Sequence, residues 1–173
     1  MNGWLLAGLI IGVVVVLTMR VIGEPLNWRD LLAPPIVLII IGVVGMANFE
    51  ELNGGDVAWV VGGSVIGFAF GAARGATVKL YEKKGELWQK YTVWSLVLFV
   101  VGVATTFGFG LVAVKFGMHP EARPYQLAIG ISFAGEAAVL FPRGLAMDAP
   151  FAKDKERPWD KWAKERPWDR LNR

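Results

Sequence analysis

Val93–Phe116 reads VWSLVLFVVGVATTFGFGLVAVKF, with no charged residue before Lys115, and this stretch decides the fold. A helix needs about 20 predominantly apolar residues, within a range of roughly 17–25, to cross the hydrocarbon core of a bilayer. That core holds no water, so the segment must satisfy its own backbone hydrogen bonds, which a helix does within a single run of chain. The many valines would suggest strands in a water-soluble protein. Length and charged flanks exclude that reading, and the alternating segments of about ten residues that a membrane barrel requires are absent.

Working outward, four more runs share this character: Trp4–Met19, Leu31–Ala47, Val57–Ala73 and Tyr125–Met147. The first two are short and draw on their flanks. The expected spans are therefore about 4–22, 31–48, 57–74, 93–116 and 125–147. The expectation is an all-α membrane protein, a five-helix transmembrane domain over residues 1–147, followed by a tail over 148–173. Trp4–Met19 follows no charged segment and precedes no clean small-residue cleavage site, so it reads as a retained span rather than a removed signal peptide.

Lysine and arginine set the orientation. With the N-terminus outside, the inner loops receive Arg20, Arg29, Arg74, Lys79, Lys83, Lys84 and Lys90. The tail adds Arg143 and the eight basic residues from Lys153 to Arg173, and only Lys115 and Arg123 fall outside. Sixteen of the 18 basic residues on one face is the positive-inside pattern, with the C-terminus in the cytoplasm of a bacterial inner membrane. The net charge of +3 belongs to these inner segments. It points to anionic lipid rather than to nucleic acid. The chain has no cysteine, which excludes disulfides, thiolate nucleophiles and dithiol electron transfer of its own.

Small residues mark helix contacts. Gly63, Gly67 and Gly71 recur at four-residue spacing, which lines one helix face and lets another backbone approach. That face serves packing within the bundle or a dimer seam. Pro34 and Pro35 are expected in the first turn of the second span, where a missing N–H costs little. Trp4, Trp59, Trp88 and Trp94 fall near predicted interfaces, as membrane anchors do.

The polar residues that can carry chemistry are few. Glu136 stands in the middle of the fifth run, where a carboxylate costs at least about 2.5 kcal/mol on insertion scales. It is expected to face the bundle interior and to be protonated or paired. Ser132 lies one turn before it and Arg143 two turns after, on roughly the same face. A Glu136–Arg143 pair joined by Arg74 or Arg20, with Ser132 and Lys79 nearby, could bind a small anion or lipid headgroup, relay a proton or act as a base. The bland alternative is an interhelical hydrogen bond. Between Arg74 and Thr92 the alternation of Lys79, Tyr81 and Lys83 with Val78, Leu80 and Glu82, then Lys84-Gly85, suggests a short β-hairpin at the surface or a solvated basic loop.

His119 is the sole histidine. It is a candidate axial haem ligand, alone or with haem shared with a partner; adjacent Met118 cannot reach the opposite face of one haem. No zinc set, Ser-His-Asp triad, P-loop or dinucleotide fingerprint is present, so the sequence requires no cofactor. The tail carries a nine-residue duplication, KERPWDK over 155–161 and KERPWDR over 164–170. Trp159, Trp162 and Trp168 would rest at headgroup level or on a soluble partner, with Pro158 and Pro167 opening two short helices.

Arg20-x-x-Gly23-x-Pro25, Pro34-Pro35, Arg74-Gly75-x-Thr77 and Phe141-Pro142-Arg143-x-x-Ala146-Met147, in that order, resemble the landmarks of the CcdC-like family of small integral membrane proteins. The resemblance spans about residues 4–147 and leaves out the duplicated tail. It implies a shared fold and topology. Through the family's association with cytochrome c biogenesis genes, it also implies work beside cytochrome or cofactor maturation. The leading expectation is a non-catalytic accessory protein contacting lipids and another membrane protein, or its own copies. The second is a membrane-embedded enzyme or small-molecule or lipid binder using Glu136 and Arg143. The third is an oligomeric transporter or channel, disfavoured for a monomer because five spans hold no inverted repeat.

Overall fold

The computed structural model describes residues 21–49, 51–122 and 124–152. Four long helices dominate: α1 Trp28–Ala47, α2 Gly54–Thr77, α3 Val93–Lys115 and α4 Tyr125–Leu145. All four are long and apolar enough to cross a membrane. Their outer faces expose Ile36, Ile40 and Val44 on α1, Val61 and Val65 on α2, and Val100, Phe107 and Leu111 on α3. So much contiguous apolar surface fits a lipid surround and not water. The expected first span lies outside the described residues except for Val21 and Ile22. Arg20 and the tail from Lys153 onward, including Trp159, Trp162 and Trp168, also lie outside them.

Capping side chains set where three of the helices start. Asn27 accepts from the Arg29 N–H at 2.9 Å, so α1 opens at Trp28, three residues before the expected start. Pro34 and Pro35 consequently sit inside α1 rather than in its first turn. Each proline lacks the N–H that a helical residue donates to the carbonyl four residues back. Asn53 with Asp56, and Thr92 with Ser95, form reciprocal capping boxes at the starts of α2 and α3.

Helix α4 packs on both α1 and α2, while α3 packs on α2. Glycine makes the α2–α4 seam close. A Cβ on Gly71 would overlap the Ser132 carbonyl, and one on Gly135 would overlap the Phe68 carbonyl. Gly67 faces the Ala128 carbonyl across the same seam, whereas Gly63 turns toward Phe109 of α3. The stripe expected at Gly63, Gly67 and Gly71 therefore serves packing within the chain. Glycines outside that stripe do the same: Gly42 lies against Leu127, and Gly130 against Leu38 and Ile39.

The all-α expectation omitted a small sheet at one end of the bundle. Strands β2 (Lys79–Lys83) and β3 (Glu86–Lys90) form an antiparallel hairpin, with Lys83 opposite Glu86. Lys84 and Gly85 turn at φ 59° and 74°, the pair of positive values that a two-residue type I′ turn requires. The hairpin suggested by the alternation is thus present. A third strand, β1 (Glu24–Pro25), adds to β3, and Phe151 makes a parallel bridge to Leu87. The first residues assigned to the tail therefore belong to the fold. Leu87 N–H donates to the Pro150 carbonyl at 2.9 Å, and Ala152 N–H to that of Leu26 at 2.9 Å.

Beneath this sheet, Leu26, Leu87 and Ala149 form one buried cluster, and Val78, Tyr91 and Leu140 form the next. Each leucine buried from water here contributes about 1.5–3 kcal/mol. The helix seams lack that driving force, because lipid tails are as apolar as leucine, and they rely on close packing instead.

Candidate functional site

The polar site is built where bundle meets sheet. Glu136 is central in the sequence of α4, yet it does not lie at mid-bundle. It faces Gly71 and Gly75 near the C-terminal end of α2, because the last turns of α4 run on beneath the sheet, where Leu140 packs on Val78 and Tyr91. Arg74, in the last turn of α2, reaches it directly. Its Nε–H and Nη2–H donate to Glu136 Oε2 at 2.9 and 2.7 Å. Tyr91, just before α3, donates its hydroxyl to the other carboxylate oxygen, Oε1. Both oxygens of this carboxylate thus accept, one from the guanidinium and one from the phenol.

Burial makes the arrangement consequential. Arg74 is 3% exposed and Glu136 2%. The guanidinium carbon of Arg74 lies 5.5 Å from the ring centre of Phe99 on α3 and 5.6 Å from that of Phe133 on α4. The arginine is thus held by one carboxylate and two aromatic faces, each a favourable setting for a desolvated cation. Its Nη1 group donates to none of the described residues, and the arginine borders an open space.

That space is a groove of about 460 Å³ between α2, α3 and α4. Phe70, Phe99, Phe107, Phe109, Phe133 and Trp59 line it, with Ser64, Thr106 and Ser132 among them and Arg74 at its sheet end. Trp59 and Arg74 lie on the same helix, so the groove runs about 22 Å at 1.5 Å of rise per residue. A separate cleft of about 560 Å³, lined by Met46, Val57, Val61, Phe68 and Leu127, has no charged group among the described residues that line it.

The expected Glu136–Arg143 pair is replaced. Arg143 donates through Nη1 to the carbonyls of Gly75 and Ala76, at 2.5 and 3.2 Å, and so completes the C-terminal end of α2. The spacing placed both residues on one face of α4 but could not show that Arg74 lay closer. Ser132 lines the groove, and its carbonyl abuts Gly71. Lys79 is exposed on β2, opposite Lys90, and has no part in the pair. Arg20 lies outside the described residues.

Tyr91, Phe99 and Phe133 were not singled out in the sequence. No spacing links a tyrosine before one helix to a carboxylate in the middle of another, and aromatic residues in membrane spans are commonplace. Asp56 was also missed. It is fully buried at the end of the bundle away from the sheet, where it accepts the backbone N–H of His119 at 2.9 Å and meets His119 Nδ1 at 2.9 Å. His119 is thereby engaged in holding the α3–α4 connection to the start of α2. No group of three His, Asp or Glu side chains suited to a metal ion occurs among the described residues. No family model, curated protein or solved structure matches the chain.

Proposed function

We propose that this chain is a non-catalytic membrane protein that holds an elongated apolar molecule in the groove between α2, α3 and α4. One observation carries the reading: an aromatic groove of about 460 Å³ leads to a buried arginine. Ligand sites are commonly of this kind, apolar in lining and 300–1,000 Å³ in volume, with a few placed polar groups. The resemblance to CcdC-like proteins would set such binding in an accessory role beside other membrane proteins, in cytochrome or cofactor maturation.

The same reading takes the chain as a five-span bundle in a bacterial inner membrane, N-terminus outside and C-terminus in the cytoplasm. In support, Arg29, Arg74, Lys79, Lys83, Lys84, Lys90 and Arg143 stand at the sheet end, and Lys115 at the other. Trp28 and Trp94, both exposed, also fall at the sheet end, where interfacial anchors belong.

Two experiments test this. Mass spectrometry of the protein extracted gently from its membrane should show one co-purifying apolar molecule per chain, lost in Thr106→Trp, which fills the groove. A bare protein that takes up no added amphiphile would refute the binding reading. Because the chain has no cysteine, single cysteines at Lys84 and Gly117 report sidedness cleanly. A membrane-impermeant thiol reagent on intact cells should label position 117 and spare position 84.

A further inference from the structure

Helices α3 and α4 both pack on α2 and leave a furrow between them, which is the open side of the groove. Val103 and Phe107 of α3 and Tyr125 and Ile129 of α4 rim it, each more than half exposed. Lipid tails are as apolar as these side chains, so shape decides what covers them. A rod laid in a furrow touches two helices at once, and helix association in a membrane depends on such close packing. Trp4–Met19 has the character of such a rod. It is apolar, free of charged side chains and expected to span, and it lies outside the described residues.

The place where that run joins the fold points to the furrow. Val21 packs on the buried cluster of Val78, Tyr91 and Leu140. Val78 caps the end of α2, Tyr91 precedes α3 and Leu140 lies on the buried part of α4, so the three mark the sheet end of the furrow. The charge pattern agrees: Arg20 falls at this end, and residues 1–19 hold no Asp, Glu, Lys or Arg. Length agrees as well. From Val21 back to Trp4 a helix covers about 25 Å, against about 22 Å for the groove. Gly8 and Gly12, about one turn apart, offer the bulky rim a face of small residues. The separate cleft beside Val61 and Val65 is a poorer match. On α2 it ends at Ala69, about 14 Å short of Val78, whereas the groove reaches Arg74. We propose that Trp4–Met19 lies in the furrow between α3 and α4, running with α4 and against α3, and forms the outer wall of the groove. This inference rests on the five-span part of the reading above and not on any ligand.

The test is disulfide crosslinking of the full chain in its membrane, which the absence of native cysteine makes clean. A disulfide forms only where two Cα atoms come within about 7 Å. Ile10 stands about 17 Å from Val21 along a helix, as Val103 does from Tyr91 and Ile129 from Leu140. One cysteine is therefore placed in turn at Leu9, Ile10, Ile11 and Gly12, which covers a full helical turn. Each is paired with Val103→Cys, with Ile129→Cys or, as the rival site, with Val65→Cys in the separate cleft. After oxidation, alkylation and intact-mass spectrometry count the linked chains. The proposal expects one or more of the four positions to link within a chain to Val103→Cys, and one or more to Ile129→Cys, in most molecules, with none linked to Val65→Cys. Two targets on different helices and four positions keep the test decisive where any one variant fails to fold. Links to Val65→Cys alone, links to only one of the two rim helices, or no links at all would overturn the placement. Links found only between chains would overturn it in favour of a second copy in the furrow. Failed crosslinks with position 117 outside and 84 inside would refute the placement alone, whereas label on both positions from outside would refute the five-span reading beneath it. Crosslinks without a co-purifying apolar molecule would support the wall and refute only the binding reading.

Discussion

Arg74 and Glu136 lie 62 residues apart in the chain and meet through two hydrogen bonds, 2.9 and 2.7 Å, to a single carboxylate oxygen. Tyr91 holds the other oxygen. This ties the end of α2, the entry to α3 and the buried part of α4 into one knot. It stands where the sheet closes over the bundle and the groove begins, so its integrity bears on both stability and binding.

Removing one partner of a buried pair leaves an uncompensated charge, which costs about 3–5 kcal/mol. Glu136→Ala should lose that much on unfolding in mixed micelles. Tyr91→Phe should lose about 1.5–3 kcal/mol, the range for a hydrogen bond to a charged group. Equal stability of Glu136→Ala and the parent chain would mean that the knot is not formed in the micelle.

Arg143 has a different task. Its donors go to the carbonyls of Gly75 and Ala76 at the end of α2. Arg143→Gln should cost about 1–3 kcal/mol through the lost charge-assisted hydrogen bonds and should leave ligand affinity in the groove unchanged. An affinity loss without loss of stability would place Arg143 in the site instead.

The glycines of α2 should respond unequally. A methyl group on Gly71 runs into the Ser132 backbone, which cannot swing aside as a side chain can. Gly71→Ala should cost about 1–3 kcal/mol or more as overpacking. Gly63→Ala would meet Phe109 at 3.5 Å, an ordinary contact, and should be near neutral. Thermal melting of the two variants side by side checks this. The opposite order would mean that α2 and α4 approach through another face.

The hairpin turn contains an avoidable strain. Lys84 adopts φ 59°, a left-handed conformation that costs most residues about 1–2 kcal/mol and that asparagine tolerates better. Lys84→Asn should raise the melting temperature, while Gly85→Val should lower it. A fall in Lys84→Asn would show that the lysine makes a contact worth more than the strain.

At the far end of the bundle, Asp56 completes the capping box of α2 by accepting the Asn53 N–H, and it receives His119. Asp56→Ala keeps the Asn53 cap but removes the acceptor of the Asn53 and His119 N–H groups, and should cost about 1–3 kcal/mol. His119→Ala keeps the backbone bond and should cost less. Denaturant unfolding of both variants measures the difference, and a larger loss in His119→Ala would assign the imbalance to the ring.

Much of this architecture was legible in residue order alone. Long uncharged runs such as Val93–Val114 can only be helices in lipid, because nothing but the chain itself can satisfy their backbone there. The Lys84-Gly85 pair between alternating strands announced the hairpin, since turn chemistry is local. Glu136 stood out as a carboxylate among apolar residues for the same reason: its cost is a property of the residue and its depth. Its partner was not legible. Periodicity along α4 pointed to Arg143, whereas glycine-to-backbone contact between α2 and α4 brought Arg74 within reach and left Arg143 to the carbonyls of Gly75 and Ala76. The joining of β1 and Phe151 to the hairpin, the groove between α2, α3 and α4, and the depth of Glu136 likewise depend on contacts between distant segments. Composition and local propensity determine which segments become helix or turn; only packing in three dimensions decides which buried charges meet and what space is left beside them.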